Sequence, residues 1–453
     1  MRERLTAAVR GRNTDYVEIR VEENDSTRLL FRGKDLEDVA RTVNLGGCVR
    51  ALVKGSWGFA SFNDLGSLEE MVDLAIQQAR LNPAGDNALA RVEPVVDTVP
   101  LQLVRDPREV PLAEKVRLFA EYNRIILGHS PAIQTTQVGY GDSYRKVTLA
   151  TSEGTYVEQE GMQIRGVLAA MARDGARIEQ AHEIATSRND FGAVEGLEDK
   201  AGRAAARAVS LLTAQAAKGG EYTVILDPRL AGVFAHEAFG HLSEADHVYE
   251  NDKLREIMVL GRKFGGDFLN IADGADLPAH RGSYKYDDEG VPSEITPLIK
   301  DGVLVGRLHS RETAAKMGER VTGNARAVNY RFRPIVRMTN TYIEQGSVPF
   351  QEMLADVKEG IYAKDMYGGE TAMEMFTFSS EEAFMIRNGR LAEPLRGVLL
   401  SGNVFTTLAN IDAVGNDLSF EGGGSCGKGE QSNLPVGIGS PHIRIQKCVV
   451  GGR

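Results

Sequence analysis

A chain of 453 residues, 42% apolar and 26% charged, has the make-up of a soluble globular protein with room for two or three cored domains. Its formal charge of −10 argues against nucleic acid as a partner, and the lack of any long apolar run or basic surface stretch argues against a membrane. Three widely spaced cysteines suit a reducing compartment, and the start, Met1 to Thr6, has no apolar leader core, so the expected location is cytoplasmic.

The first segment, 1–95, opens with an alternating run, Tyr16 to Val21. A second strand signal, Ser26 to Phe31, follows across Glu-Asn-Asp and predicts a hairpin. Gly47–Val53 and Gly58–Phe62 read as further strands, with Cys48 a buried strand residue. Leu68–Leu81 is an amphipathic helix, for which Ser67 and Glu70 offer a capping box. A polar, proline-containing stretch from Asn82 to Arg108 reads as a linker.

The second segment, 105–217, begins with a helix, Leu112–Ile126. Strand signals at Ile133–Tyr140, Tyr144–Thr151, Thr155–Gln159 and Ile164–Ala172 predict a meander, closed by an alanine-rich helix from about Gly196 to Ala216. His129 and His182 have no ligand-spaced partner and read as structural. The third segment, 218–453, turns glycine-punctuated and β-rich. Asp301-Gly302 and Asn388-Gly389 mark hairpins, and Val336–Glu344 and Ile443–Val450 read as strands. The expected fold class is α+β: mixed N-terminal segments, then a mainly antiparallel, sheet- or barrel-like C-terminal domain.

That last domain opens on its most informative stretch. A short strand, Tyr222–Leu226, leads to Asp227, which can cap a helix with Pro228 in its first turn. The helix carries His236-Glu237-Ala-Phe-Gly-His241. Imidazoles are good zinc ligands, and a carboxylate beside the metal can take a proton from water. Histidines five residues apart diverge by roughly 140° on an ideal helix, against about 40° for a spacing of four. One π-type turn would restore a shared face, and Gly240 should ease that irregularity. The competing reading makes His241 an ordinary core histidine, since Leu230, Val233 and Phe234 form an apolar stripe that it continues. With 8 histidines in the chain the spaced set is unusual, and a glutamate on an apolar stripe is costly without a partner.

A catalytic zinc site commonly has three protein ligands. His247 follows His241 at the interval of the extended zincin motif, but Glu244 stands where that motif needs glycine. Cys426, within Glu421-Gly-Gly-Gly-Ser-Cys-Gly-Lys-Gly-Glu430, is the better candidate, because the glycines let the backbone bring its thiol close to another element. Lys428 could lower its pKa. A phosphate loop on Gly422–Gly424 and Gly427–Gly429 lacks the required spacing and following helix. A Cys426 nucleophile with His236 as base would leave the histidine spacing unexplained.

The sequence resembles the TldD/PmbA family of metallopeptidases, and its TldD type in particular. The residues that carry the resemblance are His236 to Asp246, Asp287 to Pro292, Arg337 to Tyr342, Gly360 to Ala363, Phe378 to Ala383 and Gly423 to Lys428. The resemblance implies that His236, His241 and Cys426 hold zinc and that Glu237 is the general base. It implies hydrolysis of short or unfolded peptides bound as an added strand. It also implies pairing, either with a PmbA-type paralogue or with a second copy. The alternative from another class is a peptide-binding or assembly scaffold with a non-catalytic metal site.

Overall fold

Tyr16–Arg32 (β1) is one unbroken strand of 17 residues, where two strands and a turn were expected. Glu23, Asn24 and Asp25 do not turn because they are paired on both edges, to Leu45, Asn44 and Val43 on one side and Lys146, Arg145 and Tyr144 on the other. Ladder bonds on both sides outweigh a polar triplet that contains neither glycine nor proline. The reversal comes instead at Gly33, whose φ of 57° suits a residue without Cβ. The computed structural model describes residues 1–277, 279–372, 374–420 and 423–452.

Asp35–Val53 (β2), Ser56–Phe62 (β3), Val96–Val99 (β4), Ile133–Thr151 (β5), Tyr156–Asp174 (β6) and Arg177–Ser187 (β7) complete a seven-stranded sheet with β1. Its order is β3-β2-β1-β5-β6, with β4 and β7 both along β6. The four strand signals of the second segment are thus two long strands, β5 and β6, and the sheet runs on from the first segment through the β1–β5 pairing. One end of the sheet packs helix Leu68–Leu81 through Val72, Ala75 and Ile76. The other packs helix Leu112–Gly128 through Phe119, Tyr122 and Ile126, and helix Glu198–Leu211 through its alanines. Each large apolar side chain buried here contributes about 1.5–3 kcal/mol.

Two local expectations fail for local reasons. Ser67 makes no side-chain cap, because a 3₁₀ turn over Leu65–Ser67, capped by Asp64, leads straight into the helix. The alanine-rich helix stops at Leu211, because Gln215 and Ala216 leave it to pair with Leu395 and Arg396.

The C-terminal part is built on a closed ring of strands. Gly220–Leu226 lies between Glu359–Ala372 and Ile443–Gly452; the ring continues through Val398–Asn403 and Met375–Arg387 and returns to Glu359–Ala372. Closure removes free sheet edges within it. The hairpins at Asp301-Gly302 and Asn388-Gly389 form as expected, with positive φ at all four residues. Val336–Glu344 is two short pieces, Ile335–Val336 and Asn340–Ile343, in different sheets. The molecule is α+β with mainly antiparallel pairing, and its largest core surrounds the helix that follows Leu226.

Candidate metal centre

Asp227 caps that helix as its sequence predicts: Oδ1 accepts from the Leu230 amide at 2.8 Å, and Pro228 stands in the first turn. Leu230, Phe234, Ala235, Ala238 and Phe239 bury the helix, with Phe234 edge-on to Phe376 and Phe378. After seven α-helical residues the chain widens into a π-helical segment, Ala235–Gly240, then tightens into a 3₁₀ turn, His241–Ser243. The extra residue of the five-residue spacing is absorbed in the wide turn, and the two imidazole centroids come within 5.3 Å.

Gly240 works differently from the expectation. Its φ of −57° and ψ of −50° are ordinary helical values, so the position does not need glycine's conformational freedom. It needs glycine's size: a Cβ there would stand 2.1 Å from the sulfur of fully buried Met338.

The third donor arrives from far along the chain. Ser425–Lys428 and Gln431–Pro435 form a two-stranded ladder, so the glycine-rich run is a hairpin and not a phosphate-type loop. Glu421 and Gly422, its first two members, lie outside the described residues. Arg337, fully buried, fixes the hairpin by donating to the carbonyls of Cys426 (2.8 Å) and Gln431 (3.2 Å). The Cys426 thiol is thereby buried facing the helix, and His236, His241 and Cys426 each offer a donor atom within 4.8 Å of the other two.

The geometry suits an ion. Cys426 Sγ is 3.5 Å from His241 Nε2, and tetrahedral zinc with ordinary bond lengths would hold such a pair about 3.6 Å apart. His236 Nδ1 is buried without a hydrogen-bond partner among the described residues, an unsatisfied state that a cation or its water would relieve. Burial opposes the thiolate, yet hydrogen bonds from the two imidazoles outweigh it and hold Cys426 down to about 5. Burial likewise opposes a charged His241, yet Glu244 and the thiol push that ring up to about 10. The site thus favours the thiolate form that metal binding requires.

Lys428 does not play the part expected of it. Its ammonium donates to Asp246 (2.6 Å) and to the Val336 carbonyl (2.9 Å) and stands 3.1 Å from Glu244. Glu237 lies on the rim: its carboxylate is 3.9 Å from His241 Nε2 and partly exposed. His247 stays outside the donor group, half exposed, with Nδ1 against the His241 carbonyl at 3.2 Å.

Two residues of the centre escaped the sequence reading. Glu244, completely buried, accepts from His241 Nδ1 at 3.0 Å and so turns Nε2 toward Cys426. Its three-residue offset from His241, one helical turn, is the available signal. Arg337 opens one of the stretches that carry the family resemblance, but nothing local to it assigns a role.

Comparison with known proteins bears on the whole chain. Models of the PmbA/TldA metallopeptidase domain 1, central domain and C-terminal domain match residues 17–79, 105–212 and 219–452. A metalloprotease of Synechocystis is 49% identical over 97% of this chain and 95% of its own length. The zinc metalloprotease TldD homolog of Saccharolobus solfataricus is 29% identical over 92% of this chain and 93% of its own. The crystal structure of TldE from Thermococcus kodakarensis shares the fold with a TM-score of 0.75 at 17% identity, covering 97% of both chains. The chain belongs to the TldD/PmbA family of metallopeptidases, among relatives of the TldD type.

Proposed function

We propose that the protein is a zinc-dependent peptidase in which His236, His241 and Cys426 hold the metal and Glu237 is the general base. The observation that carries this reading is the convergence of two imidazoles and a thiolate from elements 185 residues apart, with a free carboxylate at their rim. A structural zinc site usually takes four protein ligands; three ligands beside an open carboxylate fit a catalytic one.

A zinc ion bound here supplies Lewis acidity, polarising a scissile carbonyl and making a nearby water easier to deprotonate. Glu237 takes that water's proton and returns it to the leaving amine. Glu244 keeps the His241 ring in the orientation that presents Nε2. Arg337 holds the Cys426 strand against the helix. The substrate is a short or unfolded peptide, bound as an added strand whose backbone hydrogen bonds ask little of its side chains. The active assembly is a pair, with a PmbA-type chain or with a second copy.

The test is metal content and peptide hydrolysis on wild type, Cys426→Ala and Glu237→Gln. About one zinc per wild-type chain, little in Cys426→Ala, and zinc without hydrolysis in Glu237→Gln is the expected set. A zinc-loaded wild type that cuts no unfolded peptide, alone or with a PmbA-type chain, would leave a binding scaffold as the function.

A further inference from the structure

A cavity of about 730 Å³ lies between the N-terminal sheet and the C-terminal body, with Arg188, Arg281 and Arg326 in its lining. That size falls within the roughly 300–1,000 Å³ of small-ligand sites. It reaches solvent at Asp276, Lys285 and Asn433, which are exposed. It also shares a wall with the metal centre: Leu434 and Pro435 line it, and Leu434 is the ladder partner of Cys426.

Several buried arginines of the protein are matched to carboxylates. Arg50 meets Glu18 and Glu289, Arg145 meets Glu22 and Asp288, and Arg207 meets Glu183, Asp365 and Glu381. Three arginines of the cavity lining are not so matched. Among the described residues, Arg188 has neither a hydrogen bond nor an ion pair, and its Nε is buried. Arg281 gives Nε to the Gly424 carbonyl at 3.1 Å and leaves a buried Nη1 without a partner. Arg326 donates, among the described residues, only to carbonyls, those of Met338 (2.5 Å) and Pro435 (2.8 Å). Burial, reinforced by neighbouring guanidiniums, lowers Arg188 and Arg281 to about 10, so both stay charged at neutral pH.

Of the acidic groups in the lining, Asp276 stands exposed at the mouth and the other three are already bonded. Asp287 accepts from the amides of Glu289, Val291 and Ala325, Asp288 pairs with Arg145, and Glu160 takes the Tyr144 hydroxyl. Among the described residues, Arg188, Arg281 and Arg326 are thus left without a carboxylate in direct contact, a costly arrangement for buried guanidiniums that an anionic ligand would relieve. Planar guanidiniums match a carboxylate in shape as well as charge.

We propose that this cavity binds a carboxylate of the peptide substrate, its C-terminus or an acidic side chain, beside the metal centre. The proposal rests on the peptidase reading for the identity of the ligand. It makes Arg188 and Arg281 determinants of substrate choice, and it names the preferred substrates as peptides with an acidic group close to the bond that is cut.

The test uses the full-length Glu237→Gln chain and fluorescence anisotropy, so that binding is read without hydrolysis. Three N-terminally labelled hexapeptides with otherwise uncharged side chains are compared: one ending in a carboxylate, one ending in an amide, and the amide with one internal glutamate. The expected result is that at least one acidic peptide binds about tenfold or more tightly than the neutral amide, the scale of one charge-assisted hydrogen bond. Which acidic peptide wins tells the C-terminus from the side chain. Arg188→Gln and Arg281→Gln should each bring that peptide down toward the level of the neutral amide, and Arg188→Lys should keep part of the preference. Equal binding of all three peptides, or a preference that survives these replacements in folded protein, would overturn the proposal. Wild-type hydrolysis without acid preference would sink this inference alone; acid-selective binding without any wild-type hydrolysis would sink the peptidase reading alone.

Discussion

His241 and Glu244 face each other across a single turn, with Nδ1 donating to Oε2 at 3.0 Å, and the Lys428 ammonium meets the same oxygen at 3.1 Å. Burial works against the charged carboxylate, but Lys428 and His241 outweigh it and hold Glu244 well below the usual carboxylate range. The ring is thereby committed through Nδ1, leaving Nε2 to face the thiol at 3.5 Å. This is the arrangement by which an outer carboxylate fixes the tautomer of a metal-binding histidine.

Glu244→Gln should therefore weaken zinc binding by about 10–100-fold while leaving all three donor residues in place. Competition against a chelating dye reads the affinity directly. An affinity equal to wild type would mean that His241 needs no orienting partner.

How much of this was legible in the sequence depended on how local each cause is. The Asp227 cap, the π-helical turn and the hairpins at Asp301-Gly302 and Asn388-Gly389 are decided by residues a few positions apart, and they could be read in advance. The long strands could not. Glu23-Asn-Asp and Gly141-Asp142 look like turns but lie inside ladders, and Asp142 is neutralised by Lys115 at 2.6 Å, from a helix before the strand. Ring closure in the C-terminal part likewise joins strands from residue 220 to residue 452. At the site, His236 and His241 could be found by spacing. Cys426 could be argued only from its glycine-rich surroundings and from family resemblance, because 185 residues separate it from His241.

Gly240 tests whether the wide turn depends on space. In this helical conformation alanine would ordinarily be favoured over glycine by about 1 kcal/mol. Here the added methyl meets the Met338 sulfur, and Met338 is fully buried, so Gly240→Ala should instead destabilise the protein by about 1–3 kcal/mol and lower its zinc content. If the cause is steric, Met338→Ala in the same chain should recover part of the loss, since it removes the atom that is struck. Urea denaturation of the four members of this cycle supplies the coupling. Strictly additive effects would show that Gly240 serves some purpose other than making room.

Asp227 links the start of the same helix to pH. Burial and the neighbouring negative charge of Asp365 push its carboxyl up to about 7, although the amides of Leu230 and Asp365 both donate to it. In an unfolded chain the group titrates near about 3.9. Between these values the native state retains a proton that the unfolded state has released, so this group's contribution to stability falls as pH rises from about 4 to about 7. Asn at this position still caps a helix but cannot ionise. Asp227→Asn should therefore gain on wild type steadily across that window and level off above it, by on the order of 4 kcal/mol in all. Urea midpoints of both proteins at pH 5, 6, 7 and 8 measure the difference. A gap that stays constant over that range would mean Asp227 is already ionised at its foot, with the backbone amides at the cap winning over burial.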